Sequence, residues 1–239
     1  MIFLTGDIHG NPTQIQLFLE KVKLTEKDTI VLLGDVGANY YGNKKDNFLK
    51  NILSNYAPTF LCIHGNHEMR PEKIAGYKPK IWNGGRVLVS DDYPNILFAE
   101  DGEVYDLEGH KALAIGGAYS VDKFYRLERG FGWWADEQPS EQTKRRVEDV
   151  IAKGGIDIIL SHTCPYKYRP TEMFIPGLDQ STVDESTELW LDKIEEAVDY
   201  KDWYCGHWHT DKHIDKMHFL FRTFEMRSEE HTSELQSPQ

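Results

Sequence analysis

Five short apolar runs recur along the chain, each followed within two residues by a glycine or histidine: IFL at 2–4, TIVLL at 29–33, TFLCI at 59–63, IDIIL at 156–160 and DWYC at 202–205. Runs this short and this continuously apolar predict strands inside sheets covered on both faces. Helical patterns lie between them. Pro12 precedes an Ile15, Phe18, Leu19, Val22 stripe at helical spacing, and two more helices are predicted at 140–153 and 185–198. Residues 86–115 read differently, as four closely spaced strands (RVLVS, ILFAE, EVYDL, KALAI) of an antiparallel meander. The expected class is α/β with a mixed second sheet. The stretch 164–184 is the longest segment without a pattern, and such loops often cover active sites.

The chain has 239 residues, enough for one α/β domain, placed here at 1–226. Residues 227–239 (RSEEHTSELQSPQ) are polar, lack a hydrophobic period and resemble the conceptual translation of a sequencing-library adapter, so they are set aside as an expected disordered tail. No apolar run is long enough for a membrane helix, and the start Ile2, Phe3, Leu4 predicts a first strand rather than a signal peptide. With 27 basic and 39 acidic residues the formal charge is −12, which argues against sequence-independent binding of nucleic acid. A small ester remains compatible. Cys62, Cys164 and Cys205 lack paired spacing and suit a reducing compartment, so a cytoplasmic location is expected.

The turns after the five runs carry the chemistry. They read Gly6-Asp7-Ile8-His9-Gly10, Gly34-Asp35, Gly65-Asn66-His67-Glu68, Ser161-His162 and Gly206-His207-Trp208-His209. In open α/β sheets ligands bind beyond the carboxyl ends of strands, so these distant turns can converge on one crevice. Carboxylate, imidazole and amide oxygen suit divalent ions of the Mn, Fe or Zn class. The i, i+2 spacing of Asp7 with His9, and of His207 with His209, puts both members of each pair on one side of an extended segment.

In that order and composition, the five motifs resemble the calcineurin-like metallophosphoesterases over about residues 2–226. The resemblance implies a four-layer α/β/β/α sandwich with two mixed sheets. It also implies two divalent ions, one held by Asp7, His9, Asp35 and His209 and the other by the bridging Asp35, Asn66, His162 and His207. Such a pair, roughly 3.5–4 Å apart, lowers the pKa of a shared water and clamps phosphoryl oxygens, so the expected reaction is hydrolysis of a phosphate mono- or diester by hydroxide between the metals. Asp35 and His67 are the catalytic candidates, His67 as proton donor or phosphoryl contact. Glu68 reads equally as a support for the ligands or as a solvated turn carboxylate.

One departure bears on substrate. Protein Ser/Thr phosphatases of the family continue the second motif to a further Asp and Arg, whereas this chain reads Gly34-Asp35-Val36-Gly37-Ala38-Asn39. A protein phosphatase is therefore disfavoured, and a small phosphate ester or nucleotide is the expected substrate. Asn66, Arg70, Arg126 and Arg129 are the candidates to bind it, since the guanidinium fork suits phosphate oxygens. The competing readings are a non-catalytic metal-binding interaction module of the same fold and a nuclease. His64, His110, His213 and His218 fit no ligand slot and are read as structural.

Overall fold

The computed structural model describes residues 1–174 and 180–227, together with the backbone of 233–235. Its chemistry-bearing strands stand where the apolar runs predict: β1 (Ile2–Thr5), β2 (Thr29–Leu32), β3 (Thr59–Cys62), β9 (Ile158–Ser161) and β10 (Asp202–Cys205). The helices α1 (Thr13–Lys21), α4 (Glu141–Ile151) and α5 (Ser186–Ala197) also fall within their predicted spans. Helix α4 begins where Ser140 Oγ accepts a hydrogen bond from the Thr143 amide at 3.1 Å, an N-cap that satisfies one of the free first-turn donors.

Residues 86–115 depart from the predicted meander. They form β5 (Gly85–Ser90), β6 (Ile96–Ala99), β7 (Val104–Leu107) and β8 (His110–Ile115), but the chain changes sheets between β6 and β7. The first sheet has the order β14-β13-β1-β2-β3-β6-β5-β4, where β4 is Tyr77–Trp82, β13 is Phe224–Arg227 and β14 is Ser233–Leu235. The second has the order β11-β12-β10-β9-β8-β7, with β11 at Lys212–Ile214 and β12 at Met217–Phe219. Both sheets are mixed. β1, β2, β3 and β6 run parallel, as do β8, β9, β10 and β12, and antiparallel strands complete each edge. β14 pairs with β13, while 228–232 and 236–239 of the expected tail lie outside the described residues.

Each run is apolar throughout because its alternate residues enter two different cores. Ile2, Leu4, Val31, Leu33, Ile158 and Leu160 meet in the layer between the sheets. Phe3, Ile30 and Leu32 face outward against Ile15 and Phe18 of α1 and against Leu49 and Leu53 of α2 (Asn47–Leu53). On the far side Ile159, Trp203 and Cys205 pack on Val147 and Ile151 of α4 and on Trp190, Leu191 and Ile194 of α5. Three cores separate four layers, so the molecule is the expected α/β/β/α sandwich. Among the described residues no helix is long and apolar enough to cross a membrane.

The stretch 164–184 contains two short 3-10 turns, Tyr166–Tyr168 and Thr171–Met173, and its residues 175–179 lie outside the described ones. Residues Lys123–Arg129 form a short helix, α3, that carries Arg126 and Arg129. It buries none of its own residues, and Phe124, Tyr125 and Leu127 on it are exposed rather than packed on a core.

Candidate metal centre

The parallel order places the turns after β1, β2, β3, β9 and β10 at one edge of the sandwich, where their side chains converge. The backbone there is unusual. Asp35, His9, His207 and His209 all hold left-handed φ values, of 44°, 47°, 67° and 49°. Non-glycine residues adopt that region at an energetic cost, which the surrounding structure must offset. Neighbouring glycines make room for the ligands: a Cβ on Gly65 would collide with the Asp35 carboxylate, and one on Gly206 with that of Asp7.

The floor is almost sealed. Asp35 accepts the His67 amide through Oδ1 at 2.9 Å, and Asp7 accepts the His207 amide through Oδ1 at 2.8 Å, so each carboxylate keeps its second oxygen for the centre. Asp7 Oδ2 is buried and receives no hydrogen bond of good geometry among the described residues, although His209 Nε2 stands 3.3 Å away. His162 donates Nδ1–H to the Leu33 carbonyl at 2.8 Å, which in the neutral ring leaves Nε2 as a lone pair. That lone pair faces Asn66 Oδ1 at 2.8 Å, and His207 Nδ1 meets the same oxygen at 3.1 Å. On its other side Asn66 Nδ2 donates to Ser120 Oγ at 2.8 Å, which turns Oδ1 towards the two histidines. Nearer solvent, His9 Nε2 faces His209 Nε2 at 2.8 Å, and His9 Nδ1 lies 2.7 Å from the Tyr40 hydroxyl.

Carboxylate oxygens, ring nitrogens and the Asn66 amide oxygen thus point into one shared space. Asp7, His9 and His209 bring ligand atoms into one small volume, and Asp7, Asp35 and His162 do the same. The donor set therefore fits divalent ions of the oxygen- and nitrogen-loving kind. Titration tells the same story. Burial and the neighbouring Asp7 charge push Asp35 well above the usual carboxylate range. Burial also raises Asp7, but the His209, His162 and His9 rings and the His207 amide outweigh it and carry its carboxyl down to about 2. Burial lowers His207 well below the ordinary imidazole value, which keeps its ring available as a ligand.

His67 lies beside the same floor, with Nε2 3.7 Å from Asp35 Oδ2. Burial, reinforced by the Arg126 charge, pushes its pKa down to about 4. Glu68 is not a solvated turn carboxylate. It is buried, and Oε1 accepts the amides of Gly37 at 2.7 Å and Ala38 at 3.2 Å, which pins the turn after Asp35. Its pKa rises to about 7 through burial and the Asp35 charge.

The three arginines have separate fates. Arg70 is committed elsewhere, with Nη1 on Asp101 Oδ2 at 2.7 Å and Nε on the Asp136 carbonyl at 3.0 Å. Arg129 lies over the Tyr125 ring at 5.6 Å on α3. Only Arg126 bears on the centre: its Nε pairs with Asp122 Oδ2 at 2.8 Å, and its charge lowers both His67 and His9. Asn66 has its amide nitrogen engaged by Ser120, so its free group is the oxygen turned to the histidines. Tyr40 and Ser120 were missed because a lone hydroxyl in a loop carries no motif. The floor opens into a cavity of about 680 Å³ shared by His67, Asp122, Tyr119, Phe174 and Trp208.

A four-layer sandwich that gathers two carboxylates, four imidazoles and a carboxamide at its strand ends has the fold and site of a metallophosphoesterase. The calcineurin-like phosphoesterase family model matches residues 1–211, and the chain belongs to that family of metal-dependent phosphoesterases. Comparison with curated proteins gives no match. Among solved structures, TT1561 of Thermus thermophilus is similar with a TM-score of 0.51 at 13% identity, covering 92% of this chain and 87% of that one. The phosphopantetheinyl hydrolase PptH from Mycobacterium tuberculosis aligns at 13% identity with a TM-score of 0.48, over 92% of this chain and 87% of its own. The first of these likenesses supports the fold.

Proposed function

We propose that the chain hydrolyses small phosphate mono- or diesters at a dinuclear centre. The observation that carries this reading is the convergence of two overlapping ligand groups, Asp7 with His9 and His209 and Asp7 with Asp35 and His162, each within one small volume at the strand ends. Asp7, His9, Asp35 and His209 would hold one ion, and Asp35, Asn66, His162 and His207 the other. Such ions would supply Lewis acidity and a water activated near neutral pH.

The chain's own groups handle the substrate. Burial and Arg126 keep the His67 ring neutral at pH 7, and a phosphate anion within hydrogen-bond reach opposes both effects and draws a proton onto the ring. That proton then goes to the departing alkoxide. The acid and arginine absent from the second motif have counterparts one helix away. Asp122 raises the His67 pKa against the general trend, and Arg126, paired to Asp122, offers positive charge beside the phosphate. Phe174 and Trp208 lie nearly parallel, with centroids 5.8 Å apart and 15° between planes. That aromatic wall suits an ester with a planar or apolar leaving portion, nucleotides included. The three free, buried cysteines fit a reducing compartment, and cytoplasmic residence forms part of this proposal.

The test is turnover of p-nitrophenyl phosphate and of its bis ester across Mn(II), Fe(II), Zn(II), Co(II) and Ni(II), beside an Asp35→Asn variant. Activity is expected with Mn(II), and the variant should lose several kcal/mol of transition-state stabilisation, on the order of 10³- to 10⁴-fold in kcat/KM. Metal-loaded protein inert towards both esters with every ion would refute the proposal.

A further inference from the structure

A second cluster of metal-ligating side chains stands outside the centre. His213 on β11 and His218 on β12 are direct partners in an antiparallel pair, so their rings project to one face, with centroids 4.4 Å apart. Glu225, on β13 of the other sheet, reaches across to both. Its Oε2 lies 3.4 Å from His213 Nε2, and its two oxygens lie 3.0 and 3.2 Å from His218 Nδ1. From these contacts we propose that His213 Nε2, His218 Nδ1 and the Glu225 carboxylate form a third metal site, for an ion of the zinc class, which ties strands β11 and β12 of one sheet to β13 of the other.

Three observations support it. Zinc bonds of about 2.0–2.1 Å at tetrahedral angles hold ligand atoms about 3.3–3.4 Å apart; Glu225 Oε2 already sits at nearly that spacing from both histidine nitrogens, and all three donor atoms lie within 4.8 Å of one another. Glu225 is fully buried, and its Oε1 receives no hydrogen bond of good geometry among the described residues, with His218 Nδ1 3.0 Å away beside it, so the carboxylate has a lone pair to offer an ion. Behind His218, Asp202 Oδ1 stands 3.6 Å from Nε2, the carboxylate–histidine arrangement that orients a ring for coordination through its other nitrogen. The His213 side chain is 37% exposed, which gives an ion a path in.

The site is independent of the catalytic reading, and the test separates them. Zinc equivalents are counted by elemental analysis after saturation and desalting, in wild-type protein and in His213→Ala and Glu225→Gln, with folding checked by circular dichroism. Wild type should hold one equivalent more than either variant, and equal counts in wild type and His213→Ala would overturn the proposal. In an Asp7→Asn/Asp35→Asn background, Co(II) should still give one equivalent with visible d–d bands, and adding His213→Ala should erase them. A cobalt-free double variant would overturn it equally. Loss of ester hydrolysis alone would bear on the catalytic centre and leave this count unchanged.

Discussion

The strand-end centre and the sheet-edge cluster both pair imidazoles with buried carboxylate, but they are built on opposite kinds of backbone. At the strand ends, four of the ligand residues hold left-handed φ angles, in turns where glycines give way to carboxylates. At the sheet edge, His213, His218 and Glu225 sit in regular strands, in register with their partners. Turns free each side chain to be aimed individually, so many ligands can share one point, at the cost of local strain. Strands fix direction by the pleat, so a cluster forms only where strand register and a neighbouring sheet bring side chains together. The first arrangement suits chemistry and the second suits joining.

Substitutions can break that contrast. His67→Ala should lower kcat by about 10²- to 10³-fold, the range of a lost general acid, while metal content and melting temperature stay near wild type. Unchanged kcat, read with elemental analysis and calorimetry, would remove His67 from the mechanism. A smaller effect is expected from Tyr40→Phe, which takes away the hydroxyl 2.7 Å from His9 Nδ1. Loss of a partner that orients a ligand ring should weaken metal affinity by about 10- to 100-fold, measured by competition with a chelator, and leave kcat at saturating metal close to wild type.

The edge cluster should answer to pH instead. Burial lowers His218, but Asp202 and Glu225 overcome it and hold its pKa at about 9, with Tyr204 and His213 packed against the ring and Arg227 on Asp202. A histidine whose folded pKa exceeds the unfolded value of about 6.5 contributes stability that is complete below that value and lost as pH rises through 9. Metal-stripped protein should therefore lose on the order of 3 kcal/mol in urea melts between pH 6 and pH 9.5, and His218→Asn should flatten that slope. Equal slopes in wild type and variant would show that His218 is not the source.

Much of the site was legible because its ligands cluster within a few residues of strand ends. Asp7 and His9, Asn66 and His67, and His207 and His209 are neighbours in sequence, and each pair follows an apolar run that marks where a strand stops. The arginines were harder. Arg70 and Arg126 look alike in sequence, yet Asp101 takes the first while the second bears on His67, a choice made by partners 31 residues away in one case and four in the other. The residues 86–115 went astray for a related reason: alternation shows that a segment is a strand but not which sheet accepts it. His213 and His218 were read as structural because neither follows a motif and Glu225 lies in another sheet.

What the sequence determined by itself is local: strand and helix periods, the turns that end the strands, and the residue types those turns present. Those follow from side-chain chemistry and backbone preference over a few residues. Which turns meet, which carboxylate captures which arginine, and which edges touch were decided only when three cores closed at once. Such contacts join residues 200 and more positions apart, as between Asp7 and the His207 amide, and their energy exists only in the packed molecule.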